Sequence, residues 1–246
     1  MTPHLRKLFF ETLYRNASLY RFASTVPFAG QWRIWQRQVL PRLHGHDVLE
    51  LGCGLGDLLA DMLDSGYACR AVERSPQMVR AAGATLNRRH AGAPGLIIQG
   101  LAWALPFADH SFDCVVSTFP TEYIYDPATI AEIVRVLRPD GRLIVIESAH
   151  LLPVGFLQPL LLLLHLLVYG PSAQPGQDAV AGTRPRWCHT HIASTDEHSR
   201  DVLSETVETP AASDLLLSLE QAGLHLRCEI ARSRRWEVSI TIGEKA

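Results

Sequence analysis

Between residues 47 and 147, short apolar runs alternate with segments whose apolar residues return every three or four positions. The runs predict buried strands, and the wider spacing predicts amphipathic helices. The strands read DVLEL from Asp47, ACRAVE from Ala68, LIIQG from Leu96, DCVVST from Asp113 and RLIVIE from Arg142. Leu55, Leu58, Leu59, Met62 and Leu63 trace one helix face between the first two strands. A second helix opens with Ser75 as N-cap and Pro76 at its first position, and buries Met78, Val79, Ala82 and Leu86. A third carries Ile130, Ile133, Val134 and Leu137, and the turn Pro139-Asp140-Gly141 then leads into the fifth strand. Strands alternating with helices in this way predict an α/β domain with a mostly parallel sheet.

The flanks follow other patterns. Leu5, Leu8, Phe9 and Leu13 line one face of an N-terminal helix. Trp32, Trp35 and Val39 line a second, which Arg33 and Arg37 flank and Pro41 ends. Glu11 and Arg15 interrupt the first apolar run, so it forms no signal-peptide core. After Glu147 the alternation stalls. No Asp, Glu, Lys or Arg occurs from Ser148 to Gln177, and the following residues to about 210 are polar and rich in Pro, Gly, Ser and Thr. The pattern resumes with a helix over Asp214–Leu224, closed at Gly223, and two strands, HLRCEIA and WEVSITIG. The short gap between those strands predicts an antiparallel pair.

Composition sharpens this division. The chain has 246 residues, 47% hydrophobic and 20% charged, with a net charge of −2, which excludes a disordered chain. Residues 1–46 hold seven Lys/Arg and one acid, while residues 47–246 hold sixteen Lys/Arg and twenty-four acids. Such a balance does not suit a protein that wraps nucleic acid with its whole surface. Five widely spaced cysteines without a C-x-x-C point away from a disulfide scaffold and toward a reducing, cytoplasmic setting. Cys188-His189-Thr190-His191, with His198 nearby, matches no closed zinc pattern and reads as loop, so no metal is expected.

The chemistry concentrates after the first strand, in Glu50-Leu51-Gly52-Cys53-Gly54-Leu55-Gly56-Asp57. Glycines there let backbone approach a ligand, and the next helix offers free N–H groups. A dinucleotide fingerprint needs G-x-G-x-x-G, but the third glycine comes one residue early and Asp57 takes its place. An acid beside a pyrophosphate is unfavourable. Glu73, at the second strand's end, can accept hydrogen bonds from both hydroxyls of a ribose. Together these residues suggest an adenosyl ligand without phosphates. No G-x-S-x-G elbow and no P-loop lysine occurs, so hydrolase and NTPase readings have no support.

Residues 47–147 resemble a class I S-adenosylmethionine-dependent methyltransferase, of the broad group that contains the ubiquinone and menaquinone biosynthesis enzymes. The resemblance rests on VLELGCGLGDLL, AVERSPQMV, ALPFADHSFDCVVSTF and EIVRVLRPDGRLIVIE, in that order. It implies a Rossmann-like seven-stranded sheet in order 3-2-1-4-5-7-6, strand 7 antiparallel, with helices on both faces. Residues 1–46 would form an N-terminal helical cap, and residues 47–246 the methyltransferase domain, with an apolar helix and long loop inserted at about 150–210.

The resemblance also implies roles. Gly52, Cys53, Gly54 and Gly56 would shape the loop under the methionine part of S-adenosyl-L-methionine, and Glu50 would orient that loop through its amides. Glu73 would hold the ribose, and Met78 would pack on the adenine. Leu101 stands where many relatives carry Asp, which leaves backbone at Leu101 and Ala102 to read the adenine. Ser117, Thr118 and Phe119 would lie near the sulfonium and the acceptor, with Glu122, Tyr123 and Tyr125 as acceptor-side or loop-packing residues. Asp113 reads as a structural residue. The expected reaction is direct methyl transfer to O, N or C of a small, lipophilic acceptor, and no general base is identifiable. The segments 1–42 and 151–169 suit either a lid and pocket wall or peripheral contact with a membrane. The rival reading is a non-catalytic, membrane-associated module with the same fold. Ser117-Thr118-Phe119-Pro120 does not match the Asn/Asp-Pro-Pro-aromatic motif of exocyclic amine methylases, so no nucleic-acid substrate is expected.

Overall fold

The computed structural model describes residues 21, 30–90, 94–151, 191–194 and 218–246. Eight strands form one sheet: β1 (Asp47–Leu51), β2 (Ala68–Glu73), β3 (Ile97–Gln99), β4 (Phe112–Thr118), β5 (Leu137–Leu151), β6 (His191–Ser194), β7 (Leu224–Ser233) and β8 (Trp236–Lys245). Their order is β3-β2-β1-β4-β5-β8-β7-β6. β1 to β5 are parallel, and β8 is antiparallel to both of its neighbours. The expected seven-stranded order is therefore present. The short β6 adds an outer edge, parallel to β7.

Four helices are α1 (Trp32–Gln36), α2 (Asp57–Asp64), α3 (Pro76–Arg89) and α4 (Pro127–Val136). The Ser75 side chain accepts from the Met78 N–H, and Asp126 caps α4 through Ala128. Each of these helices begins with Pro, whose fixed φ suits a first turn and whose missing N–H costs nothing there. Strand alternation divides the core. Val48, Cys114, Val116, Ile144 and Ile146 pack with Trp35, Leu58, Met62 and Leu86 on one face of the sheet. Leu49, Leu51, Val115 and Val145 pack with Ile130 and Ile133 on the other.

The structure changes two expectations. The second N-terminal helix tightens into a 3-10 turn over Arg37–Arg42. Pro41 lies inside it, and a residue without an N–H cannot extend an α-helical ladder. Leu137, expected on a helix face, opens β5 instead. Arg138 precedes Pro139 and is biased toward extended backbone, so α4 ends at Val136. The turn at Asp140, with φ 61°, is absorbed as a register shift against β4. Cys53, Cys69 and Cys114 are free.

The first N-terminal helix, the apolar run from 152 and most of the polar segment to 217 lie outside the described residues, as do Cys188, His189, Thr190 and His198. Among the described residues no helix is long and apolar enough to cross a membrane.

Candidate functional site

The C-terminal ends of β1, β2 and β4 converge on the glycine turn, where parallel α/β sheets bind ligands. The turn owes its shape to left-handed backbone, with φ 73° at Gly52, 52° at Gly54 and 75° at Gly56. A Cβ on Gly52 would lie 2.9 Å from the Tyr123 hydroxyl, and one on Gly56 would lie 2.9 Å from the Ala82 Cβ. Glycine is thus required at both positions by backbone and by space. Gly56 is also the N-cap of α2, so the helix starts directly at the turn.

Glu73 ties this turn to the next one. Its Oε2 accepts from the Gly54 N–H at 3.0 Å, and its Oε1 accepts from the Ser75 N–H at 2.8 Å. Burial raises its pKa, and the amides of Ser75, Gly54 and Arg74 only partly oppose that. Each carboxylate oxygen has a second lone pair, so both can still accept a ribose hydroxyl. The loop amide expected to bind Glu50 is therefore taken by Glu73.

Glu50 is more unusual. It is 1% exposed, and its Oε2 is buried without a hydrogen-bond partner. Desolvation first, then the charges of Glu73, Asp57 and Asp61, push its pKa up to about 8. Burial, Glu50 and Glu73 also push the Cys53 thiol up, which keeps it neutral. A glycine cradle surrounded by carboxylates suits a cationic ligand and repels a pyrophosphate. S-adenosylmethionine carries a sulfonium and an ammonium, so these residues fit it.

The cap closes over the end of β4. The Trp32 ring lies 4.3 Å from Phe119, centroid to centroid, and Trp35 meets Phe119 edge-on at 6.4 Å. Gln36 donates to the Thr118 Oγ1 at 3.1 Å. Phe119 has φ 51°, a left-handed conformation that costs energy for a side chain of its size. Asp61, 3% exposed on α2, fastens this arrangement. It accepts from Arg33 on α1 and, at 2.8 Å, from Arg89 on α3. Burial pushes Asp61 up, but its arginine partners outweigh that and hold it below the usual carboxylate range.

Other expected residues fall in several places. The Tyr123 hydroxyl hydrogen-bonds Ser117 at 2.7 Å and donates to the Leu51 carbonyl at 3.2 Å, so it braces the turn from below. Glu122 opens the 3-10 turn Glu122–Tyr125. Met78 is fully buried, a core position in this structure. Leu101 and Ala102 form a tight turn closed by the Ala104 N–H on the Leu101 carbonyl at 3.1 Å, beside Trp103, which is 39% exposed. Asp113 lies at the opposite end of the sheet, where His46 and Asp47 amides and Arg138 hold it at about 2 against the cost of burial. Trp32, Gln36 and Asp61 were not singled out for the site from sequence. Trp32 was visible as a helix-face aromatic, but no periodicity signals the pairing of Gln36 with Thr118.

Residues 49–145 match the methyltransferase domain family. The demethylmenaquinone methyltransferase of Corynebacterium efficiens is 36% identical over 140 residues, which cover 55% of this chain and 57% of that one. The chain thus spans a little over half the length of the curated relatives it matches. A solved SAM-dependent methyltransferase from Aquifex aeolicus superposes with TM-score 0.53 at 15% identity, over 92% of this chain and 98% of that one. The cyclase SpnF does so with TM-score 0.52 at 17% identity, over 87% and 81%. Structural likeness at these identities shows the fold alone, and the cyclase shows that this fold can serve another reaction.

The fold is that of the solved S-adenosylmethionine-dependent methyltransferases, and residues 49–145 match the methyltransferase domain family. In sequence the chain resembles the demethylmenaquinone methyltransferases over a little more than half of their length.

Proposed function

We propose that the protein is an S-adenosylmethionine-dependent methyltransferase acting on a small, quinone-like lipophilic acceptor. The observation that carries this reading is the buried, partnerless Glu50 oxygen beneath a glycine turn tied to Glu73. When bound, S-adenosylmethionine supplies an electrophilic methyl group. Glu73 takes the ribose hydroxyls, and backbone at Leu101 and Ala102 meets the adenine. Glycines 52, 54 and 56 bring main chain against the methionine part, and Glu50 supplies its countercharge. Trp32, Gln36, Thr118 and Phe119 exclude water and align the acceptor, which is most of what such a transfer asks of the protein.

The acceptor class rests on the relatives named as demethylmenaquinone methyltransferases and on the aromatic lining at the β4 end. By composition, the basic, aromatic segment 1–42 and the apolar segment 151–169 suit a lipophilic acceptor, as lid, pocket wall or membrane contact. The test is transfer of an isotope-labelled methyl from S-adenosylmethionine to reduced demethylmenaquinone, read by mass spectrometry. Product with the label on the quinone is expected. Absence of label on that acceptor and on every lipid of a cell extract contradicts the reading.

A further inference from the structure

Glu147 is a partly buried carboxyl, and the cofactor site does not use it. It lies within β5, directly after Ile146, which is the register partner of Thr118. The Phe119 N–H donates to the Ile146 carbonyl at 2.7 Å, so Glu147 follows immediately beside the strained Phe119. The pairing of β5 with β8 shifts register between Ile146 and Ser148, which leaves Glu147 as the bulged residue. Bulges re-aim side chains and gather next to active sites. A regular ladder at this point would have paired the residue and kept it in the sheet.

The side chain is held in place. Thr241 on β8 donates to Glu147 Oε1. Tyr125, 44% exposed at the end of the turn after β4, has its phenol pKa raised by burial and then by the Glu147 charge. Among the described residues, Thr241 and Tyr125 are the groups that act on Glu147, and no cation pairs with it. A structural carboxylate at a strand end is ordinarily neutralised, as Glu244 is by Arg142 and Arg227. Among the described residues, Glu147 instead has a hydroxyl donor on Oε1 alone.

We infer that Glu147 is the general base of the reaction, taking the proton of a hydroxyl on a quinol acceptor seated against Phe119 and Tyr125. This rests on the methyltransferase reading above. The acceptor hydroxyl gives its proton to Glu147, and the ring carbon beside it forms the bond to the methyl carbon. The methyl–sulfur bond breaks with its electron pair going to sulfur, which leaves as a neutral thioether. The hydrogen on the methylated ring carbon then moves to the oxygen, restoring the aromatic hydroxyl, and Glu147 releases its proton to water. Burial raises the Glu147 pKa and the Thr241 bond lowers it less. The base form therefore grows as pH rises through a value above the ordinary carboxylate range.

The experiment measures turnover of reduced demethylmenaquinone against pH for the wild type, Glu147→Gln and Thr241→Val, with S-adenosylmethionine affinity measured in parallel. Glu147→Gln is expected to lower kcat by about 10²–10⁴-fold, leave cofactor affinity unchanged and erase the acid limb of kcat/KM. Thr241→Val removes a donor to the carboxylate, so it shifts that limb to higher pH without abolishing turnover. An acid limb unmoved in either variant overturns the inference while the methyltransferase reading stands. A wild type that binds the cofactor but leaves this quinol unmethylated also overturns it. A wild type that binds no S-adenosylmethionine overturns the underlying reading itself.

Discussion

Glu50 is a buried carboxyl whose protonation depends on folding. Its pKa rises from the usual carboxylate value to about 8 on folding, so between those values the folded state binds the extra proton. Stability from this residue therefore falls as pH rises from about 4.5 to about 8, and the loss is complete above that. Glu50→Gln should stabilise the ligand-free protein at pH 9 by roughly 2 kcal/mol or more, read as a denaturant midpoint. The same change removes the countercharge of the ligand's ammonium and should weaken S-adenosylmethionine binding about tenfold. A variant that leaves midpoint and affinity both unchanged contradicts the assignment. Gly52 makes a complementary case. Gly52→Ala places a methyl 2.9 Å from the Tyr123 hydroxyl at φ 73°, and should lower stability by about 1–2 kcal/mol in urea unfolding.

At the scale of elements, the cap is held by one buried acid. Asp61 joins α1 to α2 and α3 through Arg33 and Arg89, and Arg37 stands 3.8 Å away. Removing the charge leaves the arginines of two helices facing a neutral amide. Asp61→Asn should cost about 3 kcal/mol and expose Trp32 and Trp35, seen as a red shift in tryptophan emission. Its folded pKa is depressed, so this contribution is present above the unfolded value and is lost as pH falls through the folded one. An unchanged emission spectrum and unfolding midpoint contradict a fastening role. The helices themselves were legible, because Leu58, Met62, Ile130 and Ile133 repeat at helical spacing and Ser75-Pro76 announces a start. The ends were less so. Pro41 and Pro139 marked the right neighbourhoods, but whether a helix tightens or turns into strand depends on what the chain meets next.

At the scale of the whole molecule, alternation predicts a mostly parallel sheet, and the resemblance of four short segments implies its order. β6 was not legible, since its four residues carry no period long enough to stand out of a polar segment. The glycine turn and Glu73 were legible because glycines directly after a strand and an acid at the next strand's end stand out in sequence. Glu147 was not, because it lies in an apolar run and only the register shift against β8 singles it out. The charge split acquires a position as well. Arg33 and Arg37 of the basic N-terminal segment meet Asp61 on the acidic domain, and Arg42 meets Glu229 on β7 at 2.7 Å. These charges are complementary, and high salt should weaken the contact of residues 33–42 with the sheet and α2 through the exposed members of that set.

The central claim is that the glycine turn and its carboxylates form an S-adenosylmethionine site. Calorimetric titration of S-adenosylmethionine into the wild type and into Gly54→Arg tests it most directly. Gly54 donates its N–H to Glu73 at φ 52°, so a cationic side chain there both strains the turn and fills the cradle. The account predicts saturable one-site binding to the wild type and none to the folded variant. Equal affinity in the two proteins would contradict it.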